Sequence, residues 1–253
     1  MAGAWLGRLY TLMVARSTFS IISGAPYNRP MKNDQPNFGY LLLGLCVLWL
    51  GMPILRIPVG EYSQVLSYVI FGAALCVAAW SVLKEPQYFL IAGLIIVLWF
   101  LGASAAYFMD SAWLRFSVIG LQLTFWSLAA LLVSRFVLSS GPVDTNRIFA
   151  GVCLYLIAGI IWAMVYAMFD QLLPGSLMGI DTDSFNGRIS NILYFSFVTL
   201  TTLGYGDIVP VHPVMRAFVQ VEAVFGQLYV AILISSLVGI RLSGHRQRND
   251  SDN

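Results

Sequence analysis

The residues most able to do chemistry form the run Thr202 to Gly206, which reads Thr-Leu-Gly-Tyr-Gly. Gly204 and Gly206 can adopt positive φ angles that other residues avoid, so successive backbone carbonyls can point the same way. Rings of such carbonyls, with one ring of threonine hydroxyls, can replace the water around a cation. Thr202 would supply the innermost side-chain ligand, and Tyr205 would pack outward against a supporting helix. The run therefore predicts a cation site built mainly from backbone oxygens.

Composition places this site in a membrane. Of the 253 residues, 58% are hydrophobic and only 10% are charged, and the mean hydropathy is +0.78. Soluble proteins average about 25% charged residues. A bilayer tolerates irregular backbone only where it is buried in protein or lines a water-filled path. The net charge of +2 gives no reason to expect a nucleic-acid partner.

Six segments are apolar enough to cross a bilayer, which takes roughly 20 residues. Five of them contain no Asp, Glu, Lys or Arg: 38–55, 62–83, 87–109, 116–134 and 148–169. The sixth, 217–240, contains one acidic residue, Glu222. A further apolar run, 189–203, is too short to cross and ends in glycines. It predicts a re-entrant segment between the fifth and sixth spans of an all-α membrane protein.

Basic residues in the loops predict the orientation of the spans. With alternating spans, one side carries Arg8, Arg16, Arg29, Lys32, Lys84, Arg135, Arg147, Arg241, Arg246 and Arg248. The other side carries Arg56, Arg115, Arg188 and Arg216. Both termini are therefore expected in the cytoplasm of a multi-pass plasma-membrane protein. The outer loops would then hold Asp170, Asp181 and Asp183, either enriching cations at the mouth or forming an ordinary solvated surface.

The chain divides into four regions. They are a cytoplasmic N-terminal segment at 1–37, a peripheral four-helix domain at 38–140, a pore domain at 141–240 and a short cytoplasmic tail at 241–253. The first region is either an interfacial amphipathic helix or disordered. Asp144 or Thr145 could cap a helix beginning near Arg147.

The run Thr201-Thr202-Leu203-Gly204-Tyr205-Gly206-Asp207 resembles the signature of tetrameric potassium channels, and the resemblance covers 148–240. Leu203 stands where that family more often has valine or isoleucine, but it keeps an apolar residue there. The resemblance implies that residues 202–206 are a selectivity filter supported by Thr201 and preceded by a pore helix at 191–201. It also implies that Tyr194 and Phe195 belong to an aromatic cuff, with Tyr194 hydrogen-bonded to Asp207.

The sixth span contains a candidate gate. Gly226 stands where many members of that family carry a hinge glycine, although a glycine there could equally serve close helix packing. Leu233 and Leu237 share its helical face, toward either the pore or a neighbouring helix. An apolar ring of these leucines could close the path by dewetting.

Glu222 is the one acidic residue inside a predicted span, and an ionisable group at that depth suggests a function. It could attract cations, or it could fix the inner helix behind the filter. The second role is favoured because Gln227 and Tyr229 are near enough in sequence to be hydrogen-bond partners.

These features predict a passive potassium-selective channel rather than an enzyme. Each chain has one filter run, and four copies are needed to close each coordinating ring. The expected partners are therefore three further subunits, membrane lipid and K⁺ as the permeant ion, and no cofactor is expected. Arg115 and Arg135 only bracket the fourth span, so strong voltage dependence is not expected.

Two alternatives remain. A weakly selective cation channel is disfavoured by Tyr205, because non-selective relatives commonly lose that aromatic residue. A membrane enzyme or sensory scaffold is disfavoured because His212 and His245 are the only histidines and no catalytic cluster is visible.

Overall fold

The computed structural model describes residues 37–54, 72–73, 76–77, 86–108, 111–139, 144–180, 182 and 185–251. The predicted N-terminal segment, nearly all of the second predicted span at 62–83, Asp181 and Asp183 lie outside the described residues. Side chains are described in most of this range, but not in 237–251.

The described residues are almost entirely helical. The helices are α1 (Phe38–Ile54), α2 (Pro86–Phe108), α3 (Ala112–Leu138), α4 (Thr145–Leu172), α5 (Phe185–Leu200) and α6 (Pro213–Ser251). Two short strands, β1 (Leu177–Met178) and β2 (Val209–Pro210), pair antiparallel with Leu177 opposite Pro210. This pairing ties the segment after α4 to the segment before α6.

Three of the described helices are long and apolar enough to cross a membrane. They span 112–138, 145–172 and, within α6, 213–236, while α1 and α2 contain shorter apolar stretches at 38–51 and 92–105. An all-α membrane architecture is confirmed.

Helix α4 lies at the centre and packs against α1, α3, α5 and α6. Its buried side chains include Ile157, Ile160 and Tyr166. Helix α1 buries one leucine face, Leu41, Leu45 and Leu48, which recur at the three- and four-residue spacing of a helix. These apolar faces pack the helices together, and the glycine-containing run at 202–206 directly follows α5.

Side-chain hydrogen bonds are made at the start of α4, both within that helix and to the end of α3. The Asp144 carboxylate accepts a hydrogen bond from the Arg147 backbone N–H at 3.0 Å, so the N-cap of α4 is Asp144 rather than Thr145. The Arg147 guanidinium donates from Nε to the Val137 carbonyl at 3.0 Å. It thereby occupies a carbonyl at the C-terminus of α3, where a cation is favoured by the helix dipole.

Asp170 does not lie in an outer loop, and the predicted surface role for it is wrong. It sits in the last turn of α4 and is only 4% exposed. Its carboxylate is held by Arg188 of α5, with Nε–Oδ2 at 2.9 Å and Nη2–Oδ1 at 2.7 Å. A bidentate pair of this kind joins the C-terminus of α4 to the first turn of α5.

Two helix boundaries differ from the predicted ones. Helix α5 begins at Phe185, six residues before the expected start at 191, and α6 continues to Ser251 through the region expected to be a separate tail. Extending an existing helix requires no new nucleus, so the polar residues after Ile240 can continue α6. The candidate gate residue Leu237 lies in this helix, but its side chain is outside the described residues.

Candidate functional site: the run after α5

Positive φ angles alternate along the run after α5. They occur at Thr202 (+58°), Gly204 (+57°) and Gly206 (+78°). A Cβ added to either glycine would meet no heavy atom within 4 Å. The two glycines are therefore required by backbone conformation rather than by crowding. Thr202 was not expected to share this conformation, which is rare for a β-branched residue and marks a strained position.

The backbone amides of this run are directed at α5. The Thr202 N–H donates to the Thr199 carbonyl at 2.9 Å. The N–H groups of Leu203 and Gly204 both donate to the Val198 carbonyl, at 2.9 and 3.3 Å. These bonds occupy carbonyls that the end of α5 would otherwise leave without partners. They also fix which way the peptide planes of the run face.

Side chains of the run are exposed in the single chain. Leu203 is 55% exposed and Tyr205 is 68% exposed. The expectation that Tyr205 packs against the supporting helix is therefore not met within one chain. Most of the surface of its side chain is exposed.

Tyr194 and Asp207 form the expected hydrogen bond. The Tyr194 hydroxyl donates to Asp207 Oδ2 at 2.8 Å, and the other oxygen, Oδ1, accepts from the Ile208 N–H at 3.0 Å. The bond links α5 to the residue directly after the run.

Two other residues expected to support the run are engaged within the helices. Phe195 is 5% exposed, and its ring lies 5.5 Å from that of Tyr166 in α4. The Thr201 hydroxyl donates to the Phe197 carbonyl at 2.6 Å, at the end of α5. Both residues thus stabilise α5 and its contact with α4.

Glu222 is completely buried between α4, α5 and α6. Its carboxyl group lies 2.5 Å from the Tyr166 hydroxyl and 2.6 Å from the Ser196 hydroxyl. The Ser196 hydroxyl is also 2.8 Å from the Gly159 carbonyl oxygen. One carboxyl group therefore joins three helices.

The partners first considered for Glu222 are engaged elsewhere. Gln227 donates from Nε2 to the Thr202 hydroxyl oxygen at 2.8 Å, and the Tyr229 hydroxyl donates to the Gly151 carbonyl at 2.7 Å. Sequence reasoning missed Tyr166 and Ser196, because their contacts with Glu222 join residues 56 and 26 positions apart. A buried carboxyl group signals that partners exist, but not which ones.

Gly226 is a close-packing position in this structure. A Cβ added to it would lie 2.0 Å from the Leu200 carbonyl oxygen, so only glycine fits where α6 crosses the end of α5. Leu233 also packs inside the chain, since its Cδ1 atom would lie 3.0 Å from a Cβ added to Gly151 of α4. Of the two orientations considered for Leu233, this contact favours a neighbouring helix over a central path.

Among the described residues, no three His, Cys, Asp or Glu side chains come together as a metal site.

Comparison with known proteins agrees with this geometry. Residues 150–240 match the family model described as ion channel. The chain is 30% identical over 82 residues to the inward rectifier potassium channel Kirbac3.1 of Paramagnetospirillum magnetotacticum, covering 32% of this chain and 25% of that protein. It is 36% identical over 67 residues to the two-pore potassium channel 5 of Arabidopsis thaliana, covering 25% and 16%.

A third relative is the voltage-gated potassium channel Kch of Escherichia coli K12, 28% identical over 135 residues, or 52% of this chain and 28% of that protein. The chain thus spans between 16% and 28% of the length of these relatives. The matched segment contains α5, the run with alternating φ angles and most of the apolar part of α6. Residues 150–240 are therefore similar to ion channels, and all three of these relatives are named as potassium channels.

Proposed function

We propose that this chain forms a passive, potassium-selective channel, with the oxygens of residues 202–206 lining the conduction path. The observation that carries the proposal is the direction of the backbone amides after α5. Three successive N–H groups, at residues 202, 203 and 204, donate to carbonyls of that helix.

The direction of the carbonyls follows from peptide geometry. The described residues contain no cis peptide bond, and in a trans peptide the C=O points opposite to the N–H of the same plane. The carbonyls of Thr201, Thr202 and Leu203 therefore point away from α5. A row of carbonyls facing the same open space is what a dehydrated potassium ion requires.

Conduction through such a row requires four copies of the chain. One chain supplies one side of each coordinating ring, so four-fold symmetry would close the rings. The exposed apolar residues of α6 supply a surface for the neighbours, with Val221 at 58%, Val224 at 60% and Leu228 at 58% exposure. A neighbouring subunit in the same ring would also cover Tyr205.

The remaining architecture is proposed from the apolar segments. Six spans, with α5 as a re-entrant helix between the fifth and sixth, would place both termini in the cytoplasm and the first four spans at the periphery. Helix α3 carries Arg115 and Arg135 near its ends, so we propose no strong voltage sensing. The relatives are named inward rectifier, two-pore and voltage-gated, so their names agree on potassium but on no single stimulus.

The test is the reversal potential of the purified protein in planar bilayers with opposed potassium and sodium gradients. We expect reversal close to the potassium equilibrium potential, together with the mass of a tetramer in light scattering. Reversal midway between the two ions would instead indicate a weakly selective channel. Absence of current at every voltage, with no rubidium flux into liposomes, would contradict a channel function.

A further inference from the structure

Gln227 connects α6 directly to the run that carries the filter oxygens. Its Nε2 atom donates to the Thr202 hydroxyl oxygen at 2.8 Å, across 25 residues of sequence. Gln227 is exposed, and its other amide atom, Oε1, receives no hydrogen bond from the described residues. An amide carbonyl without a protein donor therefore lies next to the innermost side-chain oxygen of the run.

The helix backbone that carries this side chain is held in place by the preceding residue. Gly226 brings the α6 backbone against the Leu200 carbonyl, where a Cβ would lie only 2.0 Å from the oxygen. The same carbonyl accepts a hydrogen bond from the Tyr155 hydroxyl of α4 at 3.2 Å. Helix α6 is therefore held against the end of α5 one residue before Gln227. The α6 backbone at Gln227 cannot move away from the end of α5 without loosening this packing.

The hydrogen bond determines the orientation of the Thr202 hydroxyl. A threonine hydroxyl has one proton and two lone pairs. When Gln227 Nε2 occupies one lone pair, the proton must point elsewhere, and the second lone pair remains for another ligand. A cation beside Thr202 could then contact this hydroxyl oxygen and the amide oxygen of Gln227. Both are hard, neutral oxygens of the kind that bind K⁺ and ions of similar size.

We propose that the Gln227 amide and the Thr202 hydroxyl together form the innermost cation site, so that Gln227 is a cation-binding residue of this channel. This inference rests on the proposed function, since it assumes that Thr202 faces the conduction path. The site takes dehydrated cations of about the size of K⁺, which include Ba²⁺.

The test measures Ba²⁺ binding to the purified, detergent-solubilised full-length protein by isothermal titration calorimetry, which does not require an open gate. In Q227M the side chain keeps its length but loses both amide atoms. We expect Ba²⁺ binding to weaken by about 10-fold, which corresponds to about 1.4 kcal/mol and is the scale of one lost hydrogen bond. Ba²⁺ block of the potassium current should weaken by the same factor.

The matched control is Q220M, because Gln220 is an exposed glutamine on the same helix. Size-exclusion chromatography checks that each variant remains assembled. Ba²⁺ affinity in Q227M equal to that of the wild type, or a loss equal to that in Q220M, would overturn the proposal.

A double-mutant cycle with T202V tests the link between the two side chains. Valine keeps the β-branch of threonine at a position with φ +58°, so the backbone strain is unchanged while the hydroxyl is lost. Because the Thr202 hydroxyl positions the Gln227 amide, we expect Q227M to weaken Ba²⁺ binding less in the T202V background than in the wild type, and fully additive effects would overturn the proposal. A wild-type protein that neither binds Ba²⁺ nor selects potassium would refute the proposed function itself. A selective wild type with normal Ba²⁺ binding in Q227M refutes only the role of Gln227.

Discussion

The hydrogen bonds around Glu222 lead to a prediction about its protonation. The Ser196 hydroxyl has a single proton, and both the Gly159 carbonyl oxygen and a carboxyl oxygen of Glu222 lie within 2.8 Å of it. The Gly159 carbonyl can only accept, so its short contact uses the Ser196 proton. The contact between Ser196 and Glu222 then requires a proton from Glu222. We therefore expect Glu222 to be a neutral carboxylic acid that donates to Ser196 and accepts from Tyr166.

Replacing Glu222 with leucine tests the size of this effect. E222L leaves the buried Tyr166 hydroxyl without an acceptor, while Ser196 keeps the Gly159 carbonyl. Leaving one buried polar group unsatisfied costs about 1–3 kcal/mol per chain. The double variant Y166F/E222L removes both members of the pair and should recover most of that loss, because replacing both partners by apolar groups is nearly neutral. Thermal unfolding of the purified protein measures these differences.

E222Q distinguishes the neutral acid from a carboxylate. A glutamine amide can donate to Ser196 and accept from Tyr166, as the neutral acid does, so we expect less than half of the loss seen in E222L. A carboxylate would instead accept from both hydroxyls, and an amide could not replace it. E222Q as damaging as E222L would therefore refute the reasoning, and so would Y166F/E222L no more stable than E222L. An infrared band of a protonated carboxyl group, absent in E222Q, gives an independent reading.

Three further substitutions test other contacts. G204A forces alanine into a φ of +57°, which costs about 1–2 kcal/mol per chain. We expect the reversal potential to move toward the sodium value. Unchanged selectivity would contradict a requirement for this backbone conformation. G226A should lower the melting temperature, because its Cβ would lie 2.0 Å from a backbone oxygen. The control G120A should not lower it, because the Cβ there meets nothing within 4 Å. Equal effects of the two substitutions would contradict close packing at Gly226. D170N should lower the free energy of unfolding by about 1–3 kcal/mol, because it weakens the charged hydrogen bonds to Arg188. Thermal unfolding measures this change. An unchanged stability would mean that the pair contributes little.

The sequence alone determined the features that depend on nearby residues. Apolar runs free of charge are a local property, so the bounds of α1, α2, α3 and α4 could be located to within four residues. The run at 202–206 was recognisable because its glycines are spaced for alternating backbone conformations. The cap of α4 could be narrowed to Asp144 or Thr145 for the same reason, since a cap contacts residues only three positions away.

Only the tertiary structure decided the features that depend on distant contacts. The sequence predicted a loop at Asp170, but in the structure α4 extends past this residue and Arg188 binds its carboxylate. Gly226 could have been a hinge or a packing site until Leu200 was found against it. The partners of Glu222 come from two other helices. The charge and size of each side chain follow from the sequence, but which side chains contact each other depends on how the helices pack together.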